Sequence, residues 1–238
     1  MRKDFSIRAK IISLTSVTII VIGVLTFFSL RALSLVKEKN DAIKDNYLTS
    51  ITNLTLAMDN MYPLIINGKN HIMTVNDEEM KTAETEMDQK KKGVSQYLAA
   101  FKNTLDPGEE TELFESLLAA YQDYLSVHNR VITLSKANRD KEAAALSANE
   151  GVKTFREVEM LLHKLLINNV EGAEEAGKEA DEVATSTSQV MIIVAILAGL
   201  GAFAISILII SSIISPINKM VAVMKDMAKG EGDLTRQL

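Results

Sequence analysis

Histidine and the acidic residues are the side chains with which this chain could bind a metal or transfer a proton, and their spacing favours neither. None of the three histidines, His71, His128 and His163, stands three or four residues from another, so the helical metal-binding pair is absent. Adjacent acids such as Glu109 and Glu110 point to different sides of a helix and indicate a solvated face. We predict no catalytic, metal or cofactor site. We interpret His128, on an apolar stripe, as a hydrogen-bonded core histidine.

An asparagine recurs every seven residues, at Asn46, Asn53, Asn60 and Asn67. Because a straight helix drifts by only about 20° per heptad, the four side chains form one slowly turning polar stripe. The stripe is either a boundary row on a solvated helix or part of a subunit interface or ligand cleft, since an amide both donates and accepts. On the second interpretation, Asn60 and Asn67 are candidate ligand-binding residues.

Basic side chains form a second candidate group. Lys69 lies on the asparagine-bearing helix, and Lys153 and Arg156 lie on the last helix of the same section. The guanidinium fork binds a carboxylate bidentately, which makes Arg156 well suited to a small anion. We therefore predict Lys69 and Arg156 as ligand-binding residues for an anionic carboxylate, with ordinary surface charge as the alternative.

The composition favours helices and excludes several classes of protein. The chain has no cysteine, so it has no disulfide, thiolate nucleophile or cysteine-bound metal. Helix-forming residues dominate, and sheet-forming alternation of β-branched and aromatic residues is absent outside two apolar segments. A net charge of −5 argues against nucleic acid as a partner.

Residues 34–189 divide into four predicted helices separated by turn residues. Breaks are predicted near Asn76, at Asp106-Pro107-Gly108 and near Asn138, with an irregular spot at Asn149-Glu150-Gly151. Pro63, inside the first helix, should kink it or remove a backbone bond. The predicted core seam of that helix comprises Tyr47, Ile51, Leu54, Met58, Met61, Ile65, Gly68, Ile72 and Val75. The second helix has apolar residues at heptad spacing, which are Met80, Met87, Val94 and Phe101, with Leu98 and Leu105 beside them. The apolar stripe of the third helix comprises Phe114, Leu117, Leu118, Tyr121, Tyr124, Leu125, His128, Val131 and Ile132, and that of the fourth comprises Phe155, Val158, Leu162, Leu165 and Asn169. We predict an all-α fold, an antiparallel up-down four-helix bundle.

Two uncharged segments flank this section. The first runs from Ile11 to Leu30 and the second from about Val190 to Ile214. Each is long enough to cross the roughly 30 Å hydrocarbon core of a bilayer as a helix. The first segment is too long for a cleaved signal peptide and lacks a small-residue cleavage site. We predict transmembrane helices at residues 11–33 and 190–214.

The distribution of charge predicts the orientation in the membrane. Four basic residues and one acid precede the first segment, whereas residues 34–189 are strongly acidic. Short cytoplasmic flanks collect Lys and Arg. We therefore predict a cytoplasmic tail at residues 1–10, an extracytoplasmic domain at residues 34–189 and both termini in the cytoplasm.

The residues after the second segment carry a family resemblance. Pro216 suits the first turn of a new helix, in which Ile217, Met220, Met224 and Met227 follow at steps of three and four. The sequence GEGDLTRQL then breaks that helix. This arrangement resembles the start of a HAMP domain, at residues 215–238, and is most similar to that of bacterial methyl-accepting chemotaxis proteins. Residues 34–189 resemble their four-helix-bundle sensor domain.

The resemblance implies a homodimeric receptor in the bacterial inner (cell) membrane. Its sensor domain, periplasmic or extracellular, would bind a small molecule or a periplasmic binding protein, and a displacement of the fourth helix and second span would be read by HAMP. A downstream kinase complex would be reached only through a cytoplasmic region after Leu238, as in a longer protein. The implied signal-transmission residues are Pro216, Gly230, Gly232, Asp233 and Leu234.

Two other functions remain open from the sequence. The same layout serves as the input module of sensor histidine kinases and diguanylate cyclases, which differ only downstream. A structural membrane protein without a ligand is the third possibility. Residues beyond Leu238 would separate the first two, and a ligand screen would test the third.

Overall fold

The computed structural model describes the backbone of residues 7–228, which is helical apart from short turns. The predicted transmission residues Gly230, Gly232, Asp233 and Leu234 lie outside the described residues. The helices are α1 (Ile7–Asp41), α2 (Thr49–Met73), α3 (Asp77–Phe101), α4 (Glu109–Lys136), α5 (Asp140–Leu146) and α6 (Val152–Ala228). Segments of π-helix at Ala42–Leu48 and Ser147–Gly151 join α1 to α2 and α5 to α6. No strand occurs between residues 7 and 228.

Residues Lys37–Ala180 form one compact unit, in which α2, α3, α4 and the α5–α6 stretch pack as four helical rods. This confirms the predicted all-α four-helix bundle. Most core positions predicted on α3, α4 and α6 are buried, among them Val94, Phe114 and Leu165. Leu118 of α4 is exposed, and Met80, Leu125 and Ile132 are half-buried.

The seam of α2 differs from the predicted one by a single row. Leu54, Met61 and Gly68 are buried as predicted, but the second buried row is Ser50, Ala57, Leu64 and His71. The predicted row lies one residue later, and its members Met58 and Ile65 are only half-buried at the edge of the core. Val75, at the end of the predicted seam, is 94% exposed. The second buried row contains the small residues Ser50 and Ala57. A prediction based on bulky apolar residues therefore placed this row one position too late.

The breaks between helices fall where the sequence predicts them. Asn76 caps α3, because its side-chain Oδ1 accepts a 2.9 Å hydrogen bond from the Glu78 backbone N–H. Gly108 precedes α4 with a φ of 108°, a conformation that favours glycine. The predicted irregular spot is the π-helical segment Ser147–Gly151. Pro63 lies inside α2 without ending it.

Two helical stretches connect the bundle to the apolar segments. Helical structure continues without a turn from Ile7 to Met73, and α6 extends over 77 residues. Both contain segments long and apolar enough to cross a membrane, as predicted. The prediction that a new helix begins at Pro216 is wrong, because α6 passes through this residue. Proline lacks a backbone N–H and can kink a helix without ending it, and α6 continues beyond it to Ala228.

Candidate functional site

The asparagine stripe lies at the contact between α2 and α3 within one bundle. Asn67 Nδ2 donates to Glu86 Oε2 at 3.0 Å, and Asn60 packs against Gly93, seven residues further along α3. Asn46 Nδ2 donates to Asp106 Oδ1 at 3.2 Å, in the turn after α3. The antiparallel register would place Asn53 opposite Ala100. These contacts match the boundary-row interpretation and direct the three amides towards their own bundle.

Asn60 is occupied by structural contacts. Its Nδ2 donates to the Leu56 carbonyl oxygen at 2.8 Å, on its own helix. Its Oδ1 lies 2.6 Å from the position that a Cβ would take at Gly93. A ligand that bound the Asn60 amide would therefore have to displace a bond within α2 or separate α2 from α3.

Asn67 lines an open cleft of about 950 Å³ beside the α2–α3 turn. Its walls include Glu78, Glu79 and Glu86, and no lysine or arginine stands among the residues described there. Several carboxylates that line one cleft repel a further anion. This cleft therefore suits the predicted anionic ligand poorly.

Lys69 lies on a different face of α2 from Asn67. It lines a groove of about 320 Å³ with Ile72, Met73, Ala144, Ser147, Ala148 and Val152. Lys153 and Arg156 are exposed on α6 and do not line this groove. The structure thus does not assemble Asn60, Asn67, Lys69 and Arg156 into one pocket.

A buried polar network near the α2–α3 turn was not predicted from the sequence. His71 is fully buried, with its Nδ1 2.9 Å from Ser135 Oγ and its Nε2 3.2 Å from Glu84 Oε1. Ser135 Oγ also donates to the His71 carbonyl oxygen at 3.1 Å, so both ring nitrogens and this carbonyl have a polar neighbour. Lys136 also donates to Glu84 at 2.7 Å, and this bond lowers the pKa of the Glu84 carboxyl. The only sequence signal that His71 faces the core is its position three residues after Gly68, which belongs to the predicted seam.

His128 is buried as predicted, but its Nε2 lacks the predicted hydrogen bond. Its Nε2 has no hydrogen-bond partner in the described structure, and the hydroxyl of neighbouring Tyr124 has none either. Burial lowers the pKa of His128 to about 4, so the ring is neutral near pH 7. The interpretation of His128 as a core histidine is therefore right, but the hydrogen bonding expected for it is wrong at Nε2. Apart from Tyr124 and Ser147, the residues that line the cavity beside the ring are apolar or glycine.

The fold and these polar sites define a class of protein. The described residues combine a four-helix bundle with two helices that are long and apolar enough to cross a membrane. The chain belongs to the family of four helix bundle sensory modules for signal transduction, whose model matches residues 4–184. This family is a sensory one, not a catalytic one. The match confirms the predicted resemblance for the bundle.

One curated relative is a longer protein. Over 204 residues the chain is 26% identical to the "Putative sensory transducer protein YvaQ" of Bacillus subtilis (strain 168). The alignment covers 84% of this chain and 35% of that protein. The chain thus spans about a third of the length of the curated relative that it matches.

Proposed function

We propose that this chain is the sensor and transmembrane portion of a chemotaxis receptor. It binds an extracytoplasmic small molecule and transmits a helix displacement to a HAMP domain that begins at residue 215. The observation that carries the proposal is the continuity of α6, which contributes Phe155, Leu162 and Leu165 to the bundle core and extends to Ala228. A continuous helix transmits displacement, provided that ligand binds the two positions with different affinity.

Contacts at the end of the bundle where α1 leads into it link the first helical stretch to α6. The ring of Tyr47 lies against Gly172 of α6, with Cε1 2.5 Å from the position of a Cβ. Lys39 of α1 forms an ion pair with Glu179 of α6. Displacement of α6 would have to rearrange both contacts, so this end of the bundle is where a ligand-induced shift would be registered before the second span.

The functional unit in this proposal is a homodimer. Ile66 and Met73 are 57% and 82% exposed. They lie seven residues apart, so they share one exposed face of α2. Such a row is suited to the same row of a second copy in a symmetric interface. Because the chain has no cysteine, Ile66→Cys gives a single thiol. It should cross-link between copies in the membrane, whereas exposed Ser116→Cys on α4 should not.

The orientation is tested with single thiols. Ser116→Cys lies in the bundle and Lys225→Cys lies after the second apolar segment. With both termini in the cytoplasm, a membrane-impermeant maleimide should label position 116 in intact cells and position 225 only after the membrane is opened. Labelling of both positions in intact cells, or of position 225 alone, would refute the two-pass arrangement.

Signal transmission is tested with a chimera. Residues 1–238 are joined at the HAMP connector to the kinase-controlling region of a chemoreceptor, and kinase activity is measured in membranes during a screen of amino acids and organic acids. At least one compound should change kinase activity, and the response should be lost when Val170→Pro kinks or breaks α6, since proline in a helix interior costs about 3 kcal/mol. A chimera that remains kinase-active and responds to none of the compounds would contradict small-molecule sensing.

A further inference from the structure

A buried acid lies beside the turn between α3 and α4, which comprises residues 102–108. Glu110, the second residue of α4, is only 5% exposed, whereas its neighbour Glu109 is exposed. The interpretation of these two acids as a solvated face is therefore wrong at Glu110. The physical reason is that the Glu110 side chain points between the helices and bonds to Asn169 of α6, which is itself 1% exposed.

Both oxygens of the Glu110 carboxyl group accept a hydrogen bond. Oε2 accepts from the Asp106 backbone N–H at 2.6 Å, and Oε1 accepts from Asn169 Nδ2. Asn169 Nδ2 also donates to the Leu165 carbonyl oxygen at 2.9 Å, so both of its hydrogens are used. One buried side chain thus bonds the α3–α4 turn on one side and α6 on the other.

The same turn is bonded to the start of the first bundle helix. Ser50 Oγ, which is fully buried, donates to Thr104 Oγ1 at 2.6 Å. Asn46 Nδ2 donates to Asp106 Oδ1 at 3.2 Å. The turn therefore has polar links both to the helical stretch that contains the first apolar segment and to the helix that contains the second.

The bond between Asn169 and Glu110 is sensitive to the axial position of α6. An N–H···O hydrogen bond has a length of about 2.7–3.2 Å, whereas one residue of an α-helix rises by about 1.5 Å. A shift of α6 by one such rise would separate the Asn169 amide from Glu110 Oε1 and leave a buried carboxyl oxygen without a donor, which is unfavourable. The apolar contacts of Leu162 and Leu165 are less selective, because hydrophobic burial is not directional.

We propose that Glu110 and Asn169 are positioning residues for α6. Their hydrogen bond holds α6 in one axial position relative to the α3–α4 turn, and its loss allows the displaced position that signal transmission requires. The proposal rests on the proposed sensory function and names the residues that determine the resting position of the displaced helix.

The test measures the position of α6 in the whole chain, reconstituted in lipid nanodiscs. Because the chain has no cysteine, Ser116→Cys on α4 and Lys178→Cys on α6, both at exposed positions, each take one spin label. They lie six residues after Glu110 and nine residues after Asn169 on antiparallel helices. The labels are therefore offset by about 22 Å along the bundle axis. Their distance, measured by double electron–electron resonance, changes when α6 moves along that axis.

Asn169→Asp replaces the donor with a second carboxyl group, which repels that of Glu110 at pH 8. The mean label distance should change by about 1.5 Å or more relative to the labelled chain without this substitution. Adding Glu110→Gln should restore the original distance, because the glutamine amide donates to the aspartate while its oxygen still accepts from the Asp106 N–H. Asn169→Leu removes the donor without adding a charge and should also shift the distance. It provides the test if Asn169→Asp does not fold.

Three controls separate positioning from a general effect on stability or charge. Asn103→Asp and Glu109→Gln make the same chemical changes at exposed positions beside the site, and neither should alter the label distance. Gly93→Ala disturbs the α2–α3 contact and should leave the distance unchanged as well. The proposal is overturned by an unchanged distance in the folded Asn169 variants, by a shift that Glu110→Gln does not reverse, or by an equal shift in Gly93→Ala.

The outcome is separable from the proposed sensory function. If Asn169→Asp moves α6 but leaves the resting kinase activity of the chimera unchanged, the pair positions α6 and transmission by displacement fails. If the chimera responds to a compound while the Asn169 variants leave the label distance unchanged, the sensory function stands and this proposal is overturned.

Discussion

Asn60 of α2 faces Gly93 of α3 so closely that its Oδ1 lies 2.6 Å from the position of a Cβ on the glycine. The asparagine is held in place by its own helix, since Nδ2 donates to the Leu56 carbonyl oxygen. Glycine at position 93 therefore leaves the space that the Asn60 side chain occupies. The pair also shows that the asparagine stripe and the α3 heptad containing Glu86 and Gly93 are two sides of one contact.

Gly93→Ala should destabilise the bundle although it raises helix propensity. The new methyl group would force Asn60 out of its position, and such overpacking costs about 1–3 kcal/mol. Gly177→Ala on α6 is the matched control, because nothing lies within 4 Å of its Cβ position. That control should be neutral or more stable by up to about 1 kcal/mol. The free energy of unfolding of the intact chain, followed by circular dichroism in denaturant, measures both. Equal stability of the two variants would contradict the contact, and Asn60→Ala should rescue Gly93→Ala.

Ser135→Ala should be costly because it leaves His71 Nδ1 buried without its partner. Both residues are fully buried, and their side chains are 2.9 Å apart. An unpaired buried group of this kind costs about 1–3 kcal/mol. Ser116→Ala is the control, since Ser116 is exposed and bonds only to the Glu112 carbonyl of its own helix. The melting temperature should fall for Ser135→Ala and stay within error for Ser116→Ala, and equal melting temperatures would exclude a stabilising role for the network.

Acidification should destabilise the bundle through His128. Its pKa is lowered from 6.5 to about 4, first by burial and then by the charges of Lys91 and His71, against a smaller opposite effect of Asp88. Between these two pKa values the unfolded chain binds more protons than the folded one. Stability is therefore fully present above pH 6.5 and declines as the pH falls towards 4. The total loss from this group is on the order of 3 kcal/mol.

His128→Gln should remove most of this pH dependence, whereas His163→Gln, at an exposed position of α6, should leave it in place. The free energy of unfolding is measured from pH 7.5 to pH 4.5 by denaturant titration. Glu84 contributes in the same direction at lower pH, because the bond from Lys136 lowers its carboxyl pKa below 4.5. A His128→Gln variant with the full original slope would show that another group is responsible.

Pro63→Ala should stabilise the protein. Pro63 lies inside α2, where it has no N–H to donate to the carbonyl of Asp59. Alanine restores that bond, and the gain should be about 1–2 kcal/mol after the greater freedom of the unfolded chain is subtracted. Pro107→Ala in the α3–α4 turn is the contrasting control, since it should lower stability by about 0.5 kcal/mol. A fall in melting temperature for Pro63→Ala would mean that ring packing outweighs the missing bond.

Features set by neighbouring residues were predictable. The cap at Asn76 and the turn at Gly108 are local, and the structure has both where the sequence predicts them. Heptad spacing also predicted the buried rows of α3 and α6, because bulky apolar side chains such as Val94 and Leu165 have no other stable location in a bundle. The family match over residues 4–184 agrees with this reading of the bundle.

Features that depend on partner helices were not predictable. Successive residues on a helix differ by about 100° in direction, so a spacing pattern left two choices for the second row of α2, and the structure selects Ala57 and His71 rather than Met58 and Ile72. The sequence likewise could not show that His128 Nε2 is buried without a partner.

The sequence by itself determined the helical class, the hairpin turns and the two apolar segments, because propensity, capping and hydropathy act within a few residues along one chain. Only the tertiary structure decided that Asn60 faces Gly93 and that Lys69 and Arg156 do not line a common pocket. The physical reason is that a binding site is made by side chains from several helices, and their mutual approach depends on how the whole core packs.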